Sequence, residues 1–220
     1  KMFFALANYT WLESDSSTAG ADGDHSYGIP GVQLGVNLLP FEGTTLTAAL
    51  GYIDVPTEGR PSLYDNKFFG NSTVKVGIGD EALPFYEYNY EVANASLAFG
   101  FSAFDLPLSG YGDYIQNQDA DDLNTGYMAG IRLGTAKKKA SWQVAYQYQE
   151  LEADATLGEM TDSDFGGGGT DVKGNVVTGQ YMITDNWYAG STYHFDQNQG
   201  VHLGKNASYS RLQIDTGLKY

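Results

Sequence analysis

The chain has 220 residues, the length of one large domain, and no break in composition argues for a second. A net charge of −15 and a pI near 4.3 repel phosphate backbones, which excludes nucleic acid as a partner. The absence of cysteine removes disulfides, thiolate metal sites and thiol nucleophiles together, and 17 Tyr with 28 Gly favour strands and turns, hence an all-β protein.

No apolar run reaches the ~20 residues of a membrane-spanning helix. The mean hydropathy of −0.33 suggests a soluble chain, but a strand apolar at every second position hides from such an average. The chain opens KMFFALANYT, already strand-like and without an initiator Met. The expectation is an N-terminus that has been processed or trimmed, or that further residues precede.

In chain order, the face of 3–12 is ambiguous because Phe3 and Phe4 are both aromatic. After a long connection (14–27), Val32, Leu34, Val36 and Leu38 alternate with Gly31, Gln33, Gly35 and Asn37. The short turn PFEGT (40–44) leads to Leu46, Ala48, Leu50 and Tyr52, alternating with Thr45, Thr47, Ala49 and Gly51. A long 56–85 connection follows, and its length alone suggests that it folds inward.

In 86–104, Tyr86, Tyr88 and Tyr90 face away from Glu87, Asn89 and Glu91, yet by Leu97, Phe99 and Phe101 the apolar phase has moved by one residue. A bulge or a later strand start explains that. The turn FDLP (104–107) precedes a loosely alternating 107–116 and the connection 117–124. Tyr127, Ala129, Ile131 and Leu133 then alternate with Met128, Gly130, Arg132 and Gly134.

Beyond the turn AKKKA (136–140), SWQVAYQYQE sets Trp142, Val144, Tyr146 and Tyr148 against Gln143, Ala145, Gln147 and Gln149. The connection 152–173, a loosely alternating 174–184 and the turn TDN (184–186) come next. Trp187, Ala189, Tyr193 and Phe195 then oppose Gly190, Thr192, His194 and Asp196. After 197–208, Leu212, Ile214, Thr216, Leu218 and Tyr220 oppose Arg211, Gln213, Asp215, Gly217 and Lys219.

Period two is the signature of strands. About ten strands of about ten residues, joined by alternating short and long connections, fit a transmembrane antiparallel up-and-down β-barrel. A soluble sandwich has no reason to gather its long loops at one end, and a soluble barrel turns its apolar face inward. The apolar set therefore meets lipid, with Tyr and Trp near strand ends as an interfacial girdle, and the polar set lines the interior.

That interior set is Gln33, Asn37, Glu87, Asn89, Glu91, Arg132, Gln143, Gln147, Gln149, His194, Asp196, Arg211, Gln213 and Asp215. Facing charges of both signs set a selectivity, or else pair and plug the interior. His194 and Asp196 stand two apart and would share the inner face as an acid-base pair. No partner serine or known motif accompanies them, so ordinary interior polarity is favoured.

Asp119, Asp121 and Asp122, like Asp162 and Asp164, offer calcium ligands, but the spacing is not that of an EF-hand and solvated loop charge suffices. Gly166 to Gly169 lack the Lys and Ser/Thr of a phosphate loop and suit a flexible external loop. Lys137, Lys138 and Lys139 suit a solvated hairpin turn. The residues call for no cofactor, no metal and no catalysis.

The segment 111–175 carries Gly112-Asp113-Tyr114, a Gly126 to Gly134 strand, the turn and strand Lys137 to Val144, and the Leu151 to Thr170 loop with LEADA and DSDFGGGGT. In these it resembles the putative porin family of Gram-negative outer membranes, in more detail over the second half of the chain than the first. The resemblance implies a passive outer-membrane channel for small hydrophilic solutes or ions, among outer-membrane lipids and lipopolysaccharide. The loops' acidity adds a mild preference for cations.

Family chains are longer at the N-terminus, and many such barrels end in Phe where Tyr220 stands here. The resemblance thus favours one barrel domain over 1–220 forming the C-terminal part of a larger barrel. Ten strands alone lie near the filled end of the size range, whereas aqueous channels are typical of about 16–18. The alternative is a non-conducting structural or adhesive barrel with acidic outer loops; a barrel hydrolase using His194 and Asp196 has little support.

Overall fold

The structure, a computed structural model, describes residues 2–14, 26–64, 66–77, 82–103 and 105–218. Its strands are β1 (Met2–Glu13), β2 (Ser26–Leu38), β3 (Thr45–Val55), β4 (Thr73–Val76), β5 (Leu83–Tyr86) and β6 (Tyr90–Ala103), followed by β7 (Leu106–Asn117), β8 (Thr125–Gly134), β9 (Trp142–Leu151), β10 (Val172–Met182), β11 (Trp187–Gln199) and β12 (Ala207–Leu218). Ten of them form one antiparallel sheet in the order β1-β2-β3-β6-β7-β8-β9-β10-β11-β12. The hairpin β4-β5 stands apart, inside the connection between β3 and β6. A 3-10 turn at Gly158–Met160 is the only helical element among the described residues.

Because sequence neighbours pair antiparallel throughout, the connections alternate between the two ends of the sheet. Residues 39–44, 104–105, 135–141 and 183–186 join strands at one end; 56–89, 118–124, 152–171 and 200–206 join them at the other. The end matters more than the length, since 135–141 is no shorter than 118–124. Two of the turns are tied together, the Lys139 N–H donating to Asp185 Oδ1 at 2.7 Å. Tyr220 and part of the 14–27 connection lie outside the described residues.

The registers settle which side chains share a face. Leu34 pairs with Leu50, Leu50 with Ala95, and Leu97 with Gly112. The line continues through Gly112 with Ala129, Ile131 with Tyr146, Tyr146 with Val177, Val177 with Tyr193 and Tyr193 with Leu212. Paired residues point the same way, so the apolar positions of all ten strands form one surface. That surface is bare: Leu50 is 67%, Ile131 58% and Ile214 79% exposed. The buried residues lie on the opposite face or in the connections, the reverse of a water-soluble sandwich.

The phase change in 86–104 has a simple cause. Tyr86 ends β5, residues 87–89 bend, and β6 starts at Tyr90 with an unbroken register on both sides. Tyr90 and Val92 thus face inward while Leu97, Phe99 and Phe101 face outward. The weak alternation of 107–116 reflects Gly110 and Gly112 on the apolar side of a regular strand. That of 174–184 reflects a register shift between Lys173 and Asn175, where Gly174 adopts φ +153. Phe3 belongs to the apolar surface, and Phe4 lies on the inner side against Gly35.

At the long-connection end the inner face is covered. Tyr27, Ile29, Val55, Tyr90 and Val92 from the sheet bury with Leu63 and Tyr86 of the 56–89 connection and Leu157 of the 152–171 connection. A second cluster joins Leu151, Val172 and Val176 to Ala155 and Phe165. The expectation that 56–85 folds inward is met, and 152–171 does the same rather than forming a flexible external loop.

Candidate pore-lining face

The inner face divides into a half packed beneath connections and an open half. In the covered half, Asn71 is the central tie. Its Nδ2 donates to Ala153 O (2.7 Å), Thr156 O (2.9 Å) and Thr170 Oγ1 (3.2 Å), and its Oδ1 accepts the Gly158 N–H (2.8 Å). Asp154 Oδ1 accepts the Ser72 N–H (2.9 Å) and the Tyr90 hydroxyl (3.2 Å), while the Tyr86 hydroxyl donates to Glu159. Burial raises the carboxyl groups of Asp154 and Glu159 above the ordinary carboxylate range and pushes the Tyr86 phenol up.

The 152–171 connection also reaches the wall beyond. Asp164 pairs with the Arg211 guanidinium and accepts from Gln213 Nε2 at 2.7 Å. Gly166 and Gly169 are buried, and Gly166 to Gly169 all have positive φ. A Cβ on Gly169 would stand 2.2 Å from Phe69 O, so this glycine run is a close packing surface and not a mobile tether. Asp164, expected as solvated loop charge, is half of an ion pair on the wall.

Of the residues expected to line the interior, Gln33, Asn37, Arg132, Gln143, Gln147, Gln149, His194, Arg211, Gln213 and Asp215 share the inner face. Glu91 does not. It pairs with Asp54 on the outer side and accepts the Tyr52 hydroxyl at 2.9 Å, because β6 begins only at Tyr90. Glu87 and Asn89 lie in the bend before that strand, where the Asn89 N–H donates to Asp119 Oδ2 at 2.7 Å.

His194 and Asp196 are not brought together. A register shift lies between His194 and Gln197, and Asp196 there adopts φ +50 and is exposed. Gln197 takes the inward position instead, 3.4 Å from the Nδ1 of the buried His194, and accepts the Gly166 N–H at 2.7 Å. Among the described residues no group of three or more His, Cys, Asp or Glu is placed to hold a metal ion.

The sequence reading left out several inner-face groups. Ser96 donates to Asp113, and Tyr111 donates to Gln147 Oε1 at 3.3 Å beneath the Arg132 guanidinium, which lies 5.3 Å from the ring centre. Their signal was present in the pairings: Tyr111 and Asp113 alternate with Gly110 and Gly112, opposite a clear β8. Glycine on the apolar side concealed it.

The family model described as "Putative porin" matches residues 88–216, from the bend before β6 into β12. Among solved structures, a triple mutant of Rh. blastica porin aligns over 100% of this chain and 80% of that chain, with a TM-score of 0.36 and 11% sequence identity. No curated protein matches.

Proposed function

The chain belongs to the putative porin family, and from that premise we propose that it forms a passive channel for small hydrophilic solutes or ions in a bacterial outer membrane. The observation that carries this reading is the continuous apolar surface across ten strands. Exposed to water, such area forfeits about 25 cal/mol per Å2; against lipid tails the loss vanishes. Strands of 10 to 14 residues have the reach of a bilayer's hydrocarbon core when tilted.

A bilayer does not tolerate open sheet edges, since unpaired backbone groups find no water there. β1 and β12 stand at the two ends of the order and run antiparallel to each other. We therefore propose closure into a barrel, through pairing of these edges or through further strands between them. Solutes would pass along the inner face, with Asp113, Asp215 and the acidic connections favouring cations over anions.

One observation favours a second reading, a non-conducting barrel that presents its connections to outside partners. The packed 56–89 and 152–171 connections cover one end of the inner face. Planar-bilayer recording on the full-length protein separates the two. Discrete open steps in potassium chloride support the channel, and a silent membrane with protein demonstrably inserted supports the closed barrel.

A further inference from the structure

Near the short-turn end, the inner face holds a hollow of about 340 Å3 that no connection fills. Its floor is Gly190. Along β11 the glycine is flanked by Tyr188 and Thr192; across the sheet it pairs with Gln180 of β10 and Asp215 of β12. Gln143 of β9 pairs with Gln180, and Thr178 with Thr192, which closes the ring. A larger residue at 190 would occupy the space these side chains surround.

Five of the polar side chains here are unspent. Among the described residues, the side chains of Gln143, Thr178, Gln180, Thr192 and Asp215 make no hydrogen bond or ion pair with the protein. In the covered half, by contrast, Asn71, Asp154 and Gln197 are all engaged. The Tyr188 ring covers Gly217, where a Cβ would come within 2.5 Å of it.

Amides that both donate and accept, two hydroxyls, one carboxylate able to take two neighbouring hydroxyls, and an aromatic plate for C–H groups make a consistent chemistry. A single carboxylate attracts cations without the several charged oxygens that hold one tightly, whereas its two oxygens match a pair of neighbouring hydroxyls. We propose that this hollow is a solute-binding subsite for neutral polyhydroxylated molecules of sugar type, resting on the channel reading above. Binding there is weak, about millimolar, as transit requires.

The test uses the full-length protein in two formats. In detergent, saturation-transfer NMR with glucose and maltose reads binding without any need for conduction; in planar bilayers, the same sugars are added to potassium chloride. Gly190→Val is the main variant. Gly190 is not in the left-handed region, and its Cβ would meet Gly179 O at 3.5 Å and Tyr188 at 4.0 Å, ordinary contacts, so the strand tolerates it.

Saturable transfer to sugar that Gly190→Val weakens about tenfold, and Gln180→Ala or Asp215→Asn about threefold, is the expected result. Open steps in potassium chloride should survive in Gly190→Val and Gln180→Ala. Sugar signals no stronger than those of size-matched polyethylene glycol, or unchanged in Gly190→Val, overturn the subsite even where the steps persist. Sugar binding lost in Gly190→Val while wild type shows no steps keeps the subsite and removes the channel.

Discussion

The two halves of the inner face are built from the same strands and differ in what meets them. Toward the long connections, Tyr27, Tyr90, Val92 and His194 are buried; the Tyr90 hydroxyl and the Gln197 amide end on the 152–171 connection, while the Tyr27 hydroxyl is buried without a partner among the described residues. Toward the short turns, Gln143, Gln180, Thr192 and Asp215 remain half-buried or exposed and make no bonds within the protein. One alternating pattern thus supplies a face packed beneath connections at one end and, around Gly190, polar side chains without protein partners at the other. Polarity on the inner face therefore has two uses, bonding to the docked connections and facing open space.

Substitutions in the covered half sharpen this contrast. Leu157 is fully buried between the connections and the sheet, and Leu157→Ala should cost about 2–5 kcal/mol of local stability. Hydrogen exchange of the 56–89 and 152–171 amides would read it as lost protection. Asn71→Ala leaves buried carbonyls and the Gly158 N–H unpaired, at about 1–3 kcal/mol, visible as faster proteolysis within the same two connections. Gln143→Ala and Thr178→Ala in the open half should stay within about 0.5 kcal/mol of wild type. Losses of similar size in both halves would break the distinction.

A smaller effect concerns pH. Burial raises the folded-state pKa of Glu159 and Asp154, so the docked connections bind more protons than undocked ones above the ordinary carboxylate range. Docking is therefore strongest below about pH 4, where both states are protonated, and weakens as pH rises through the raised values. Exchange of the 152–171 amides should speed up from pH 4.5 to 7 once corrected for intrinsic rates. Glu159→Gln should flatten that rise. The smallest change is expected from Asp164→Asn, which removes only a solvent-screened pair with Arg211.

What the sequence made legible is the sheet. Leu, Val, Ile and Tyr at alternate positions of β2, β3, β8, β9 and β12 identify both the strands and the face they present, because one repeated contact with one environment selects them. The face of β7 was obscured by Gly110 and Gly112. The site was legible only where strands stay regular: Gln143, Arg132 and Asp215 fall where alternation puts them. Asp196 escapes at a bulge, and Glu91 because β6 starts at Tyr90. The packing of the connections was invisible, since Asn71 bonds to residues 82 to 99 positions away and no period encodes such contacts.

The most direct test of the two-faced sheet exploits the absence of cysteine. Single variants Leu50→Cys, Ile131→Cys and Leu212→Cys on the apolar surface, and Gln33→Cys, Gln143→Cys and Gln213→Cys on the inner face, are reconstituted in lipid vesicles and treated with a charged maleimide. Rapid labelling of the inner set with the outer set protected until detergent is added is the predicted result. Labelling of Leu50→Cys, Ile131→Cys and Leu212→Cys from water, with the glutamine positions protected, would contradict it.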